Sequence, residues 1–305
     1  MSSEGQHRPS KRVFWIGFWL AILGAVLFSA KAVVAKLTYR YGVDALTVMG
    51  FRMLLSMPFF AVIALSQALK AHRGSIQKLN KGQSAQLIFL GFIGYYLASY
   101  LDFIGLQYIS AGLERLILFL APTIVLILSA IFLNKPILKK QWMALVLSYV
   151  GVLMVFIQDL SISGDNVALG SLFVLGSVVS YSLYLIGSGE LLKVVGATRL
   201  VAYAMLVSCL ICMVHFFIIY SWQGLIQPYA VYKLSFIHAT INTVVPTFMI
   251  MWAVARIGAP MVAQLGLTGP VSVLFLAAWL LGEPITALQL IGTAVTLAGA
   301  IVLSR

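Results

Sequence analysis

Residues 120–137 read LAPTIVLILSAIFLNKPI, and residues 268–285 read TGPVSVLFLAAWLLGEPI. The second stretch is a diverged copy of the first. Pro122 falls on Pro270, Pro136 on Pro284 and Ile137 on Ile285, each pair 148 residues apart (122 to 270, 136 to 284). Leu126, Leu128, Ala130 and Leu133 meet Leu274, Leu276, Ala278 and Leu281. Working outward, the alignment runs without a gap from 108–155 onto 256–303 and adds the pairs Gln141/Gln289 and Gly151/Gly299. Both copies are almost wholly apolar. Internal duplication of an apolar chain points to a membrane transporter built from two similar halves around a site between them.

Composition points to the same solvent. The 305 residues are 62% apolar and 9% charged, where a soluble chain is about half apolar and a quarter charged. Lipid must cover most of this surface. At about 20 apolar residues per crossing, hydropathy predicts helices near 14–36, 46–66, 85–106, 110–133, 142–157, 168–188, 199–221, 234–255, 260–281 and 286–303. The expected fold is therefore all-α and polytopic, with ten transmembrane helices as two five-helix repeats, 13–157 and 168–305. Met1 to Arg12 is a polar tail too short to fold alone. Ala30-Lys31-Ala32 imitates a signal-peptide cleavage site, but removing the first span would break the symmetry, so it is read as retained.

The net charge of +12 raises nucleic acid as a partner. Its distribution argues against that. With the N-terminus inside, 14 Lys and Arg lie in cytoplasmic segments (Arg8, Lys11, Arg12, Lys70, Arg73, Lys78, Lys81, Lys135, Lys139, Lys140, Lys193, Arg199, Arg256, Arg305). Only Lys36, Arg40 and Lys233 lie outside. This is a positive-inside signal, with membrane lipids as the partners of the basic side chains and both termini cytoplasmic. Five helices per half is an odd number, so the second repeat enters the bilayer in the opposite sense, an inverted repeat suited to alternating access.

At the repeat the sequence resembles the drug/metabolite transporter superfamily, in particular its EamA branch of ten-helix permeases. The resemblance rests on Pro122 and Pro270 in the fourth and ninth helices. It also rests on the breaks Asn134-Lys135-Pro136-Ile137 and Gly282-Glu283-Pro284-Ile285, on Gly151 and Gly299, and on Arg52 in Phe51-Arg52-Met53-Leu54-Leu55. It covers residues 13–305. It implies two five-helix halves around a central cavity, in an inner membrane, moving amino acids or other small metabolites, often outward. The chain departs from the family in lacking a first-half counterpart of Glu283 and in carrying Glu114-Arg115 early in the fourth helix.

Charges at bilayer depth are expensive and mark function by default. Lys31, Arg52, Asp102, Glu114 and Arg115 are the candidates, three positive and two negative. They could capture a carboxylate or zwitterion, with an Arg fork on the carboxylate and a proton-exchanging acid beside it. Alternatively they are static pairs, such as Asp102 or Glu114 with Arg52 or Arg115, or they snorkel to the headgroups. Tyr95, Ser99 and Asp102 share a helical face in the third span and read as cavity wall or aromatic belt. Ser177, Tyr181, Tyr184 and Ser188 form a polar stripe in the sixth. His238, Asn242, Pro246, Gln264 and Thr268 are further lining candidates, and Trp252 is either a gate or a packed aromatic. Pro122 and Pro270 are expected hinges, since each removes a helix hydrogen bond. Small residues in the fifth and tenth helices, Ala144/Ser148 and Gly292/Thr296, are expected at close helix contacts within the chain or in a homodimer.

No cofactor is expected. Cys209 and Cys212 sit in an apolar run and read as buried thiols, and the four histidines are scattered. There is no nucleotide-binding loop and no H-E-x-x-H, and Gly187-Ser188-Gly189 is too short to mark a nucleophile. A transporter is therefore expected over an intramembrane enzyme or a scaffold. A four-helix multidrug exporter is excluded by length.

Overall fold

The computed structural model describes residues 11–134, 137–163, 166–188, 191, 194–257, 261–262, 265–266 and 268–304. The first half comprises α1 (Lys11–Ser29), α2 (Lys31–Tyr39), α3 (Ala45–His72), α4 (Lys81–Gly91), α5 (Ala98–Leu106), α6 (Ala111–Leu118), α7 (Ala121–Leu133) and α8 (Lys139–Ser163). The second comprises α9 (Val167–Gly187), α10 (Ala197–Tyr220), α11 (Tyr229–Ala239), α12 (Val245–Ile257), α13 (Thr268–Leu281) and α14 (Ala287–Ser304). Among the described residues, eight helical segments are long and apolar enough to cross a membrane, and α13 and α14 are shorter apolar helices. The protein is a multi-pass membrane protein.

Polar side chains start these helices where the loops end. Asp44 accepts from the Thr47 amide at 3.0 Å, and Ser110 from the Leu113 amide at 3.0 Å. Asn80 and Gln83 form a reciprocal capping box at 2.8 and 3.0 Å. Each cap satisfies an amide that would otherwise face the interfacial region without a partner.

Among the described residues four spans depart from the unbroken α-helix expected, two by a break and two by a π-turn. The first breaks at Ala30, between α1 and α2. The fourth breaks at Phe119–Leu120, so Pro122 lies in the first turn of α7 and not in the middle of a long helix. Proline is tolerated there because its missing N–H would have had no helical partner. Pro270 likewise lies in the first turn of α13. The expectation of two mid-helix kinks is therefore corrected: each proline begins a helix. The third and eighth spans carry π-turns, Phe92–Leu97 and Thr240–Val244. Their first residues are again 148 apart (92 to 240), although the two segments read FIGYYL and TINTV.

The repeats pack antiparallel. A Cβ on Gly151 would overlap Thr296 Oγ1 and the Gly292 carbonyl. A Cβ on Gly299 would overlap Ser148 Oγ and approach the Ala144 carbonyl to 2.8 Å. As numbering rises along α8 from 144 to 151, the partner on α14 falls from 299 to 292. Moreover, 144 and 292, 148 and 296, and 151 and 299 are repeat equivalents, so the contact maps onto itself about a two-fold axis. The small residues expected at close contacts thus meet one another within the chain. The α1–α12 pair is antiparallel by the same test. Gly17 faces Ile257, and Gly24 faces Ile250. With lipid outside, such seams are held by close van der Waals approach rather than by the hydrophobic effect.

One set of loops is joined across the halves. Arg40 Nη2 donates to the Leu281 carbonyl at 2.7 Å, and Lys36 Nζ lies 3.3 Å from Glu283 Oε1. The opposite loops meet where Arg199 Nη1 donates to the Gln77 carbonyl at 2.7 Å. Large apolar side chains such as Val62, Ile218 and Trp279 point outward without protein cover, as lipid-facing residues do. Trp252 is among them at 54% exposed, with its ring 6.1 Å from that of Phe248, so it packs on a neighbouring aromatic at the lipid-facing surface and is not a gate in the interior.

Candidate functional site

Charged side chains from the first, second, third and fourth spans gather in the interior. The Ala30 break turns Lys31 inward, where its Nζ lies 2.6 Å from Asp102 Oδ2 on α5 and 3.7 Å from Glu114 Oε1 on α6. Glu114 is 0% and Asp102 2% exposed. Two expectations are corrected here. Neither carboxylate snorkels to the headgroups, because both are sealed by packed helices. Nor does Asp102 pair with Arg52. Among the described residues, its salt-bridge partner is Lys31.

Arg52 on α3 reaches across to the eighth span. Its Nε donates to Thr243 Oγ1 at 3.1 Å, and its guanidinium lies 5.4 Å from the centre of the Phe103 ring. Thr243 in turn donates to the His238 carbonyl at 2.9 Å, across the π-turn. Arg115 sits over Phe28 at 5.8 Å and makes no ion pair among the described residues. Planar guanidinium groups tolerate such aromatic faces because they are weakly hydrated.

The cluster is buried but incompletely paired. Glu114 Oε1 and Oε2, Asp102 Oδ1, Arg115 Nε, Ser29 Oγ, Asn242 Oδ1 and both His238 nitrogens lack hydrogen-bond partners. Buried polar groups are normally satisfied, and leaving one unmade costs about 1–3 kcal/mol, more when charged. Such a concentration of unmet donors and acceptors is what a site prepared for a polar guest looks like.

The expected binding residues fall into two groups. Arg52, Asp102, Glu114 and Arg115 belong to the charge cluster. Tyr95, Tyr181 and Tyr184 form a separate triad, with ring centres 5.1 to 6.5 Å apart and the Tyr95 and Tyr184 hydroxyls 3.4 Å apart. Tyr95 lies within the π-turn, between Phe92 and Leu97, and Ser99 is half-buried just after it. Gly94 makes the triad's approach feasible, since a Cβ there would overlap the Tyr184 ring. Ser180 Oγ donates at 2.6 Å to the Ile93 carbonyl, inside the π-turn. Asn242 Nδ2 donates to the Leu27 carbonyl at 2.7 Å, beside the break in the first span. Gln264 lies outside the described residues.

Ser29, Thr243 and Gly269 were not legible as site residues. Their signal is weak: small residues next to a helix break. Beyond the cluster, toward the loops that carry Glu283, runs a polar latch. Lys36 Nζ donates to the Ile109 carbonyl at 2.6 Å, Glu283 Oε1 accepts from the Ala111 amide at 3.3 Å, and Asp159 Oδ2 accepts from the Ser110 amide at 2.7 Å. Thr286 and Gln158 add a side-chain hydrogen bond across the same seam.

Comparison with known proteins agrees with this architecture. The EamA-like transporter family matches residues 15–157 and again 168–305. A Bacillus subtilis (strain 168) protein named "Uncharacterized transporter YcbK" is 31% identical over 282 residues, spanning 89% of this chain and 87% of that protein. A second from the same organism, "Uncharacterized transporter YyaM", is 36% identical over 104 residues, 32% of each chain. One solved crystal structure shares the fold with a TM-score of 0.60 at 16% identity, covering 95% of this chain and 96% of that one. Two family matches, one on each antiparallel half, together with a transporter relative along nearly the whole length, place this chain in the EamA-like transporter family of membrane transporters.

Proposed function

We propose that the protein is a secondary transporter that moves small metabolites, such as amino acids or carboxylates, by alternating access and in the outward direction. In this reading ten helices cross the inner membrane, the eight long spans together with α13 and α14, and both termini are cytoplasmic. The observation that carries it is the buried, under-paired charge cluster between two antiparallel repeats. A scaffold would bury such charges only with their partners made, because an unmet buried charge lowers stability and returns nothing. Here the unmet groups stand where broken helices α1/α2 and α6/α7 meet, the usual place for a transported ligand. Arg52 is the expected anchor for a carboxylate, and the tyrosine triad is the expected wall for its organic part. Asp102 or Glu114 would carry a proton if transport is coupled to one.

The test is counterflow in proteoliposomes against an isotope-labelled metabolite extract, read by mass spectrometry. Selective exchange of one metabolite class that Arg52→Ala abolishes, in protein that remains monodisperse, supports the reading. Unchanged exchange in that variant removes Arg52 from the site. Absence of exchange of any metabolite by folded, inserted protein counts against secondary exchange altogether.

A further inference from the structure

Within the charge cluster one cation already occupies the place that an amine would need. Lys31 Nζ lies between the two buried carboxylates, 2.6 Å from Asp102 and 3.7 Å from Glu114. The lysine side chain is 13% exposed, and the carboxylates are 3% and 0% exposed. Among the described residues these are the only acids salt-bridged within the cluster, and their cation comes from the chain itself.

On the other side of Lys31 the chemistry is reversed. Among the described residues, Arg115 has an unpartnered Nε and no carboxylate within ion-pair distance. Ser29 Oγ is 0% exposed and unpartnered. Both face Gly269 in the first turn of α13, where a Cβ would come within 2.5 Å of Ser29 Oγ and 3.0 Å of Arg115 Nη2. A guanidinium and a hydroxyl therefore pack directly against the first turn of α13, a close approach that only a glycine at 269 permits, beside the positive end of its helix dipole. At their ordinary charges Lys31, Arg52 and Arg115 against Asp102 and Glu114 leave one positive charge over. One negative charge on a guest cancels it. A zwitterion does not, and its ammonium would have to sit beside Lys31 in a site where like charges repel with little screening.

We infer that the site takes a small organic anion without an amine, of the 2-oxo acid or related monocarboxylate class. Lys31 is a tethered cation in the ammonium position, and Arg115, Ser29 and Gly269, in place of Arg52, receive the carboxylate. The inference deepens the transporter reading and rests on it. It also names a specificity-determining residue: Lys31 excludes amines rather than binding the guest.

The experiment uses the full chain in lipid nanodiscs and measures binding by isothermal titration calorimetry. The probes are matched pairs differing only at C2: pyruvate and alanine, 4-methyl-2-oxopentanoate and leucine, phenylpyruvate and phenylalanine. At least one oxo acid is expected to bind ten-fold or more tighter than its amine partner. In Lys31→Met the gap is expected to close to within about two-fold or to reverse, while Arg115→Gln weakens the oxo acid at least ten-fold. An amino acid that binds as tightly as its oxo partner in the unmodified protein overturns the inference. So does a preference that survives Lys31→Met in folded protein, and so does binding of neither member of any pair. Where Lys31→Met fails to fold, the ratio in the unmodified protein decides. Because the readout is binding, the counterflow experiment with the whole extract separately decides whether the transporter reading stands. Exchange of amines there with no oxo acid binding overturns only the present inference.

Discussion

The seam between α8 and α14 and the charge cluster between the spans of the first half treat the internal repeat in opposite ways. At the seam every contact has its mate: Gly151 against Gly292 and Thr296, and Gly299 against Ala144 and Ser148. In the cluster the charges have no such mates where the repeat is in register. The repeat equivalents of Asp102, Glu114 and Arg115, 148 residues on, are Ile250, Val262 and Ala263. Duplication preserved the mechanical joint on both sides of the axis, because a two-fold contact constrains both copies at once. The charges of the cluster are carried by the first copy, and the second supplies uncharged partners such as Thr243 and Asn242, because a single guest needs a single set of charges.

The seam offers the largest effect. Gly151→Ala and Gly299→Ala each drive a methyl into backbone carbonyls and should cost about 1–3 kcal/mol by overpacking, by similar amounts in the two variants. Thermal unfolding in detergent, read by size-exclusion chromatography, measures it, with Gly82→Ala as the control because only a side-chain oxygen lies near it. Unequal losses would break the symmetry argument. Next, Glu114→Gln should lower exchange at least ten-fold with the fold retained, while Val262→Ala, at the equivalent place, should leave exchange intact at a cost of about 1–2 kcal/mol in stability. Equal effects on exchange would mean that the cluster is not one-sided in function.

Smaller changes sharpen the picture at the loops. Lys36 and Glu283 are partly exposed, at 25% and 18% of their side chains, so Glu283→Gln should weaken the latch by no more than about 1 kcal/mol. The expected readout is faster maleimide labelling of an introduced Ser110→Cys thiol. An unchanged rate would show that the pair does not hold the loops closed. The smallest effect is at Asp44. Burial pushes its carboxyl up, but hydrogen bonds from Thr47 and Tyr220 outweigh burial and hold it below its ordinary value. The folded protein thus binds this proton less tightly than the unfolded chain. The resulting stabilisation is complete above the unfolded-state value of about 4 and is lost as pH falls through the lower folded-state value. Asp44→Asn should flatten that acid edge in melting curves taken between pH 3 and 6.

Much of the fold was legible because its signals are local. Apolar runs of crossing length and the 148-residue repeat lie along the chain, and lipid enforces the runs without reference to partners. The π-turns were not legible. FIGYYL and TINTV share no pattern, and each turn is held by a neighbour: the first by Ser180 and the close approach of Tyr184 to Gly94, the second by Asn242 reaching the Leu27 carbonyl. The broken fourth span was legible only as a proline. The break before Pro122 places it in a first turn, which no count of apolar residues distinguishes from a kink.

The five charges that make up the candidate site were visible in the sequence by itself, since a Lys, Arg, Asp or Glu inside an apolar run has no ordinary reason to be there. Which charge meets which was decided only by the tertiary structure. Coulomb energy depends on separation in space, and Lys31 and Asp102 stand 71 residues apart in the chain yet 2.6 Å apart in the fold. Among the described residues the same packing leaves Arg115 Nε, both Glu114 oxygens and Asp102 Oδ1 without hydrogen-bond partners, and those unmade contacts separate a site from a set of static salt bridges.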